Sequence, residues 1–451
     1  MQWNGDARQT TFVSSNQLDV SITAADIATP GQATVTVANP GQNGGSSDEW
    51  IYPVISPGVT AFAAGPQPVG NAPVAAAVDT GLHRVYVVHR GIFRDVCING
   101  GDCAHWPSDV VSVVDQASGN LLTTIAVGTS VNGEGQAIAV DSTRHRVFVT
   151  NADDNTVTVI DGTTNTTLAT TTVDNKPEGI AVDPDSGIVY VAASNVTLLN
   201  AGTGVVIASV PLGGAAWAIA VDGTSHLAYA LVPSSPAVVA AVDGNAQAVR
   251  SRVTLPGTFY TYLGIAVDPG SRVYVSDYNT ASVTAIDTSG SAPAVISSFS
   301  GAAKYAEAVA VDPNSHLVYV VSSGGGAVNV FNGNGAQQKS IGVLRLPTAF
   351  AIDQTSGCAY VADTESGSLS VVDMSQLALT GTIPLGVQPM GLAFDSTAGH
   401  LYAANLLADA VSVIDPASEK ATSWISGGGT WSVAVDPGVG QSMRSTAPMA
   451  P

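Results

Sequence analysis

Histidine and carboxylate recur at a fixed spacing in this chain. His83, His145, His226 and His316 each follow an aspartate by four residues (Asp79, Asp141, Asp222 and Asp312), and His400 follows Asp395 by five. Imidazole beside carboxylate can hold a divalent metal or move a proton, but a metal needs three or four donors within coordination distance. A spacing that returns in unit after unit spreads the histidines through the molecule. No shared metal site is expected among them, and no cofactor is assigned.

A second group falls within one stretch, HRGIFRDVCINGGDCAHWPSD, residues 89–109. Cys97 and Cys103 are expected to form a disulfide, because Asn99, Gly100 and Gly101 allow the tight turn that brings two Cα atoms within bonding range. The rival reading is a zinc site of His89, Cys97, Cys103 and His105, although the cysteine spacing departs from the usual short knuckle. Cys358, in the apolar run GCAYVAD, is expected to stay reduced and buried. Gly-x-Ser-x-Gly, a zinc-binding helix motif and a Ser-His-Asp spacing are all absent, so no catalytic residue is assigned.

The elements that position these residues form a repeat. A small residue, an apolar one, Ala, an apolar one and Asp recur at Asp79, Asp141, Asp183, Asp222, Asp268, Asp312, Asp353, Asp395 and Asp436, at intervals of 62, 42, 39, 46, 44, 41, 42 and 41 residues. Each unit reads as four short strands bounded by Gly, Asn, Asp and Pro, as in EGIAVD, IVYVA, TVTVID and TGTIPLG. About 42 residues with four strands is the length of a propeller blade. The predicted fold is all-β: a β-propeller of eight four-stranded blades, with seven or nine as alternatives, behind a small β-sandwich-like N-terminal segment. The boundaries are 1–56 for that segment, 57–73 for a linker, 74–430 for the propeller and 431–451 for an incomplete ninth repeat and tail.

The residue two before each Asp is always Ala, and the one four before is Gly, Ala or Ser. These positions share one face of a strand. A small face suits crowding near the propeller axis, so this strand is assigned as the innermost. The strand-closing Asp, and six more at Asp115, Asp161, Asp243, Asp287, Asp373 and Asp415, are expected to fold onto the backbone of the following turn.

The stretches VFVTNADDNTVTVIDGTTNTTLATTTV, VYVSDYNTASVTAID and PMGLAFDSTAGHLYAANLLADAVSVIDPAS resemble YVTN-type β-propeller repeats, over roughly residues 74–437. That resemblance implies an exported or cell-surface scaffold and carries no catalytic signature. Residues 8–56 resemble the later part of an immunoglobulin-like IPT/TIG domain, with alternation at Leu18, Val20 and Ile22 and at Ala33, Val35 and Val37.

A net charge of −20 with only 15 Lys and Arg argues against nucleic acid as a partner, and no apolar run is long enough to span a membrane. Counting strand directions puts the opening of each innermost strand and the loop between second and third strands on one face, the upper face. The opening positions carry Val74, Gln136, Glu178, Trp217, Leu263, Glu307, Thr348 and Met390. With nearby Tyr260 and Tyr262, and with His89, Arg90, Phe93, Arg94, His105 and Trp106 of the long loop, Glu178, Trp217, Glu307 and Met390 are the candidate ligand-binding set. The expected function is a non-catalytic exported binding protein that takes a protein or carbohydrate. The alternative is a propeller enzyme, a lactonase-like hydrolase or a metal-dependent lyase, recruiting Glu178, Glu307, Asp153, Asp154, Asp277 or Asp363.

Overall fold

The computed structural model describes residues 73–89, 109–115, 121–129, 137–256, 262–290, 293–300, 305–354, 356–385, 389–395, 399–405, 410–415 and 420–426, together with short strands between residues 2 and 54. The protein is an eight-bladed β-propeller, and each blade is a four-stranded antiparallel sheet whose strands follow chain order. The blades run over 73–126, 138–172, 179–210, 218–254, 262–300, 306–342, 347–384 and 389–426. Blade 3 is representative, with strands Gly179–Asp183, Ile188–Ala192, Val196–Asn200 and Val206–Val210. Of the blade counts admitted by the repeat, eight is the one observed.

The fixed Ala has the predicted consequence. Successive innermost strands pack side by side from blade 1 to blade 8. Side chains alternate along each strand, so it has a small face and a bulky face. At these interfaces the small face of one blade receives the bulky face of the next. Ala181 of blade 3 packs in one cluster with Ile219 and Val221 of blade 4. Ala218 and Ala220 of blade 4 meet Ile265 and Val267 of blade 5, and Ala308 and Ala310 of blade 6 meet Phe350 of blade 7. Backbones come very close here: a Cβ on Gly179 would stand 3.0 Å from the Trp217 carbonyl oxygen and 3.4 Å from the Ala218 Cα.

The second strand of every blade adds one large ring at the same register, seven residues after Asp in all but the shorter blade 5. Tyr86, Phe148, Tyr190, Tyr229, Tyr274, Tyr319, Tyr360 and Tyr402 are all buried. Three hydroxyls reach the next blade, from Tyr86 to the Gly162 carbonyl, from Tyr190 to that of His226 and from Tyr274 to that of Gly333. Burial, aided by the Asp79 charge, pushes the Tyr86 phenol up to about 12, so it remains a donor at physiological pH.

Before the propeller, the two alternating stretches lie in strands. Gln17–Val20 pairs with Thr10–Ser14, and Gly31–Thr36 pairs with Trp50–Val54 and Gln2–Trp3. Ile22, Val37 and residues 427–451 lie outside the described residues. No helix among the described residues is long and apolar enough to cross a membrane.

Candidate functional site

Two faces of the ring carry the polar chemistry. On the upper face the chain enters each innermost strand, and in five blades it does so through a break in register. The pairing of innermost and second strands skips at Pro73/Ala75, Tyr262/Ile265, Ala306/Ala308, Pro347/Ala349 and Pro389/Gly391. The skipped residues are Val74, Leu263 with Gly264, Glu307, Thr348 and Met390, the variable opening positions noted in the sequence. A β-bulge takes a residue out of the ladder and redirects its side chain, and such bulges concentrate beside functional sites. The sequence pattern had shown the variability; the bulges add a backbone reason for it.

Blade 3 shows this face in most detail. The Glu178 amide continues the ladder to the Ala192 carbonyl. The Glu178 side chain is buried, with a carboxylate oxygen 3.5 Å from Nζ of Lys176, whose own side chain is 54% exposed. The Lys176 backbone has a φ of 59°, and its amide donates to Asn155 Oδ1 of blade 2 at 2.7 Å. Two residues earlier, Asp174 accepts from Thr197 Oγ1 at 2.7 Å, Ser209 Oγ at 2.5 Å and Asn195 Nδ2 at 3.2 Å. Desolvation pushes the Asp174 carboxyl upward, but hydrogen bonds from Ser209, Thr197 and Asn195 outweigh it and hold it below the usual range. The loop that presents Lys176 and Glu178 is therefore pinned to its blade by a charged anchor. Trp217, half-buried, opens blade 4 directly beside this site, its carbonyl against Gly179.

The carboxylates of the enzyme alternative sit elsewhere on the upper face, and three of them have definite structural partners. Asp154 accepts from the Thr129 amide at 2.6 Å and its hydroxyl at 2.9 Å, tying blade 2 to the segment that leaves blade 1. Asp277 caps its own turn through the amides of Asn279 and Thr280. Asp363 is buried and accepts from Ser370 Oγ at 2.7 Å. The Asp153 amide donates to the Thr129 carbonyl.

Of the other candidates, His89, Tyr262, Glu307 and Met390 are placed by backbone alone, in strands Arg84–His89, Tyr262–Asp268, Ala306–Asp312 and Pro389–Asp395. Arg90, Phe93, Arg94, Cys97, Cys103, His105, Trp106 and Tyr260 lie outside the described residues, and the disulfide and zinc readings with them. Cys358 is a free thiol as expected, but it is half-buried at the start of its strand instead of fully enclosed. It pairs with Asp353 at the turn, where the sheet ends and cover is thinner.

The lower face obeys one rule. Every strand-closing Asp of the eight innermost strands is at most 6% exposed. Asp79 accepts from the amides of Gly81 and Leu82, Asp141 from those of Thr143 and Arg144, and Asp222 from that of Thr224. The third-strand Asp behave alike: the Ser289 and Ser375 side chains hold Asp287 and Asp373 below the usual carboxylate range, and the Ala246 amide does so for Asp243. The turn-forming role expected of these aspartates is observed.

The histidines have a partner that the sequence reading missed. Three of them accompany the Asp of the preceding blade: His145 Nδ1 lies 2.9 Å from Asp79, His226 Nδ1 3.0 Å from Asp183 and His316 Nδ1 2.9 Å from Asp268. All three have positive φ, of 52°, 58° and 55°, at a turn position that Gly187, Gly357 and Gly399 fill in other blades. A left-handed residue is required there, and His is among the side chains that tolerate it. The bridges join blades 1 and 2, 3 and 4, and 5 and 6. Their signal in the sequence is the pairing of His with the Asp one repeat earlier. Among the described residues, Asp183, Asp185 and His226 have the mutual spacing of metal ligands.

The architecture defines the class, an eight-bladed β-propeller, and known structures share it. The chain is similar to apo AztD from Citrobacter koseri at a TM-score of 0.55 and 17% identity, covering 72% of this chain and 94% of that one. It is also similar to the dihydro-heme d1 dehydrogenase NirN in complex with DHE, at a TM-score of 0.58 and 12% identity, covering 80% and 75%. At such identities the likeness is one of fold. No family model and no curated protein matches the chain.

Proposed function

We infer that the protein is a non-catalytic binding module of exported type, related to YVTN-type propellers, that engages a protein or carbohydrate through its upper face. The observation that carries this reading is the set of β-bulges at five of the eight innermost-strand openings, each releasing a different residue type from the ladder. A rigid ring whose strand openings differ in residue type from blade to blade suits recognition, since the scaffold loses little order on binding. The Lys176–Glu178 pair and Trp217 add a charged and an aromatic contact on the same rim, an arrangement suited to sugars or peptide side chains. Two of the carboxylates an enzyme would recruit serve structure instead, Asp154 at a blade junction and Asp277 in a turn.

The test is binding of the full chain to a glycan array and to immobilised peptides, with Trp217→Ala and Glu307→Gln compared against the lower-face change Thr224→Ala. The two upper-face variants should each weaken the same hit by roughly tenfold, about 1.4 kcal/mol, while Thr224→Ala leaves it unchanged. Equal binding by all variants overturns the assignment of the upper face. Turnover of a lactone substrate abolished by Glu178→Gln would replace binding with catalysis.

A further inference from the structure

On the lower face, donors from two blades meet at the junction of blades 3 and 4. One oxygen of Asp183, one of Asp185 and one ring nitrogen of His226 all lie within 4.8 Å of one another. We propose that these three side chains form a binding site for a first-row divalent cation of the zinc class, which staples blade 3 to blade 4.

The propeller contains its own controls. The same histidine–aspartate bridge stands at two other junctions, His145 with Asp79 and His316 with Asp268. There the residue two positions after the Asp is Gly81 or Gly270, and in blades 2, 4, 6, 7 and 8 it is Thr143, Thr224, Asn314, Thr355 or Thr397. Blade 3 alone carries a carboxylate at this position, and it does so at a junction where a histidine of the next blade already faces the buried Asp. The turn does not need that carboxylate. It uses the Asp185 amide, which donates to Asp183 Oδ1 at 3.2 Å, just as the amides of Gly81, Thr143, Thr224 and Asn314 donate to their own Asp. The Asp185 side chain is exposed and unconstrained by the repeat.

Charge and donor type agree with a cation. Asp183 and Asp185 bring two negative charges, and the arginine that reaches this turn is already engaged: Arg144 Nη1 lies 2.8 Å from Asp141 and donates to the Pro184 carbonyl at 2.7 Å. One imidazole nitrogen with two carboxylate oxygens suits zinc and its neighbours, whereas calcium and magnesium prefer all-oxygen shells. The Asp183 carboxylate is fully buried and the His226 side chain is 39% exposed, so one side of the triad faces the protein and the other is open to water ligands. Three protein donors with an open position can hold such an ion without further side chains.

The experiment is zinc titration of the chelator-treated full chain by calorimetry, with melting followed in parallel and cobalt absorption as a spectroscopic check. One zinc ion per chain is expected at this site, raising the melting temperature. Asp185→Asn copies the residue of blade 6, keeps the turn amide and the His226–Asp183 bridge, and should weaken zinc by at least roughly tenfold while leaving the zinc-free melting temperature unchanged. Asp185→Thr, the residue of blades 2, 4, 7 and 8, should behave identically, so the result does not hang on one variant. His145→Gln, at the two-donor junction, should leave zinc binding intact. Absence of zinc binding in the parent chain, or binding that survives both Asp185 variants because it resides in the 89–109 loop or elsewhere, overturns the proposal.

Discussion

The two faces of this propeller use the same residue type, a buried aspartate at a strand end, with opposite consequences. On the lower face Asp79 closes an innermost strand, receives the amides of Gly81 and Leu82 at 3.0 Å each and meets His145 of the next blade. On the upper face Asp363 closes a second strand, equally buried. Desolvation pushes its carboxyl up to about 7, although hydrogen bonds from Ser370 and the Leu344 backbone pull the other way. The lower aspartates are part of a turn whose amides point at them. Asp363 sits where blade 2 has Asn151, a side chain that donates to Thr156 and Thr158 Oγ1 without carrying charge. The lesson is that a strand-end carboxylate is stabilising where the turn supplies donors and costly where the third strand must do so.

Removing the charge from the upper aspartate should have the largest consequence for stability. A carboxyl near 3.9 in the unfolded chain and about 7 in the folded one makes the native state bind more protons between those values. Its stabilising contribution is then complete below the unfolded value and is lost as pH rises through the folded one. Asp363→Asn should therefore match the parent protein near pH 4 and become progressively more stable than it toward pH 7, by about 1.4 kcal/mol per unit at most. Denaturant melts of both proteins at pH 4 to 8 measure the difference directly. A constant difference across that range would show that Asp363 stays ionised.

The next test sharpens the account of why the blades approach. Ala181 is 4% exposed and packs with Ile219 and Val221 of the neighbouring blade. Ala181→Leu has no room at that junction and should cost roughly 1–3 kcal/mol. Thr167→Leu, on the exposed outermost strand of blade 2, should change stability by less than about 0.5 kcal/mol. Thermal melting that fails to separate the two would count against crowding as the reason for the invariant small face.

The origin of that small face was legible in the sequence because it is local: Ala and Gly alternate with bulky residues within five positions, and a period of two means one face. The innermost strand followed from the same pattern, as did the expectation of eight blades, with seven or nine as alternatives that the sequence left open. What escaped was contact between repeats. The His226–Asp183 bridge spans a separation of 43 residues and His145–Asp79 one of 66, so spacing within one unit shows the histidines as scattered and not as partners of the preceding blade. The upper-face bulges were invisible for another reason. The opening residues were legible as variable, but a register shift leaves no mark on composition, and only the pairing of Pro347 with Asp363 and of Ala349 with Ala362 shows Thr348 set out of the ladder.

The smallest expected effect tests whether the lower-face histidines are there for their bridge or for their backbone. His316 occupies a left-handed position with a φ of 55° and reaches Asp268 with a side chain 61% exposed. At that exposure water and salt screen the contact, so the bridge is worth no more than about 1 kcal/mol. Glycine relieves the left-handed strain and stands at the equivalent position in blades 3, 7 and 8, at Gly187, Gly357 and Gly399. The two terms oppose each other, and His316→Gly should alter stability by less than about 0.5 kcal/mol. His316→Ala loses the bridge and keeps the strain, so it should cost up to about 1 kcal/mol. His145, only 29% exposed, faces Asp79 with less water around it, and His145→Gly should therefore cost more than His316→Gly. If Gly and Ala prove equally harmful at residue 316, the histidine is held there by its bridge alone; if Gly is neutral and Ala is not, bridge and left-handed backbone carry similar weight; and if Ala is neutral too, the bridge contributes nothing.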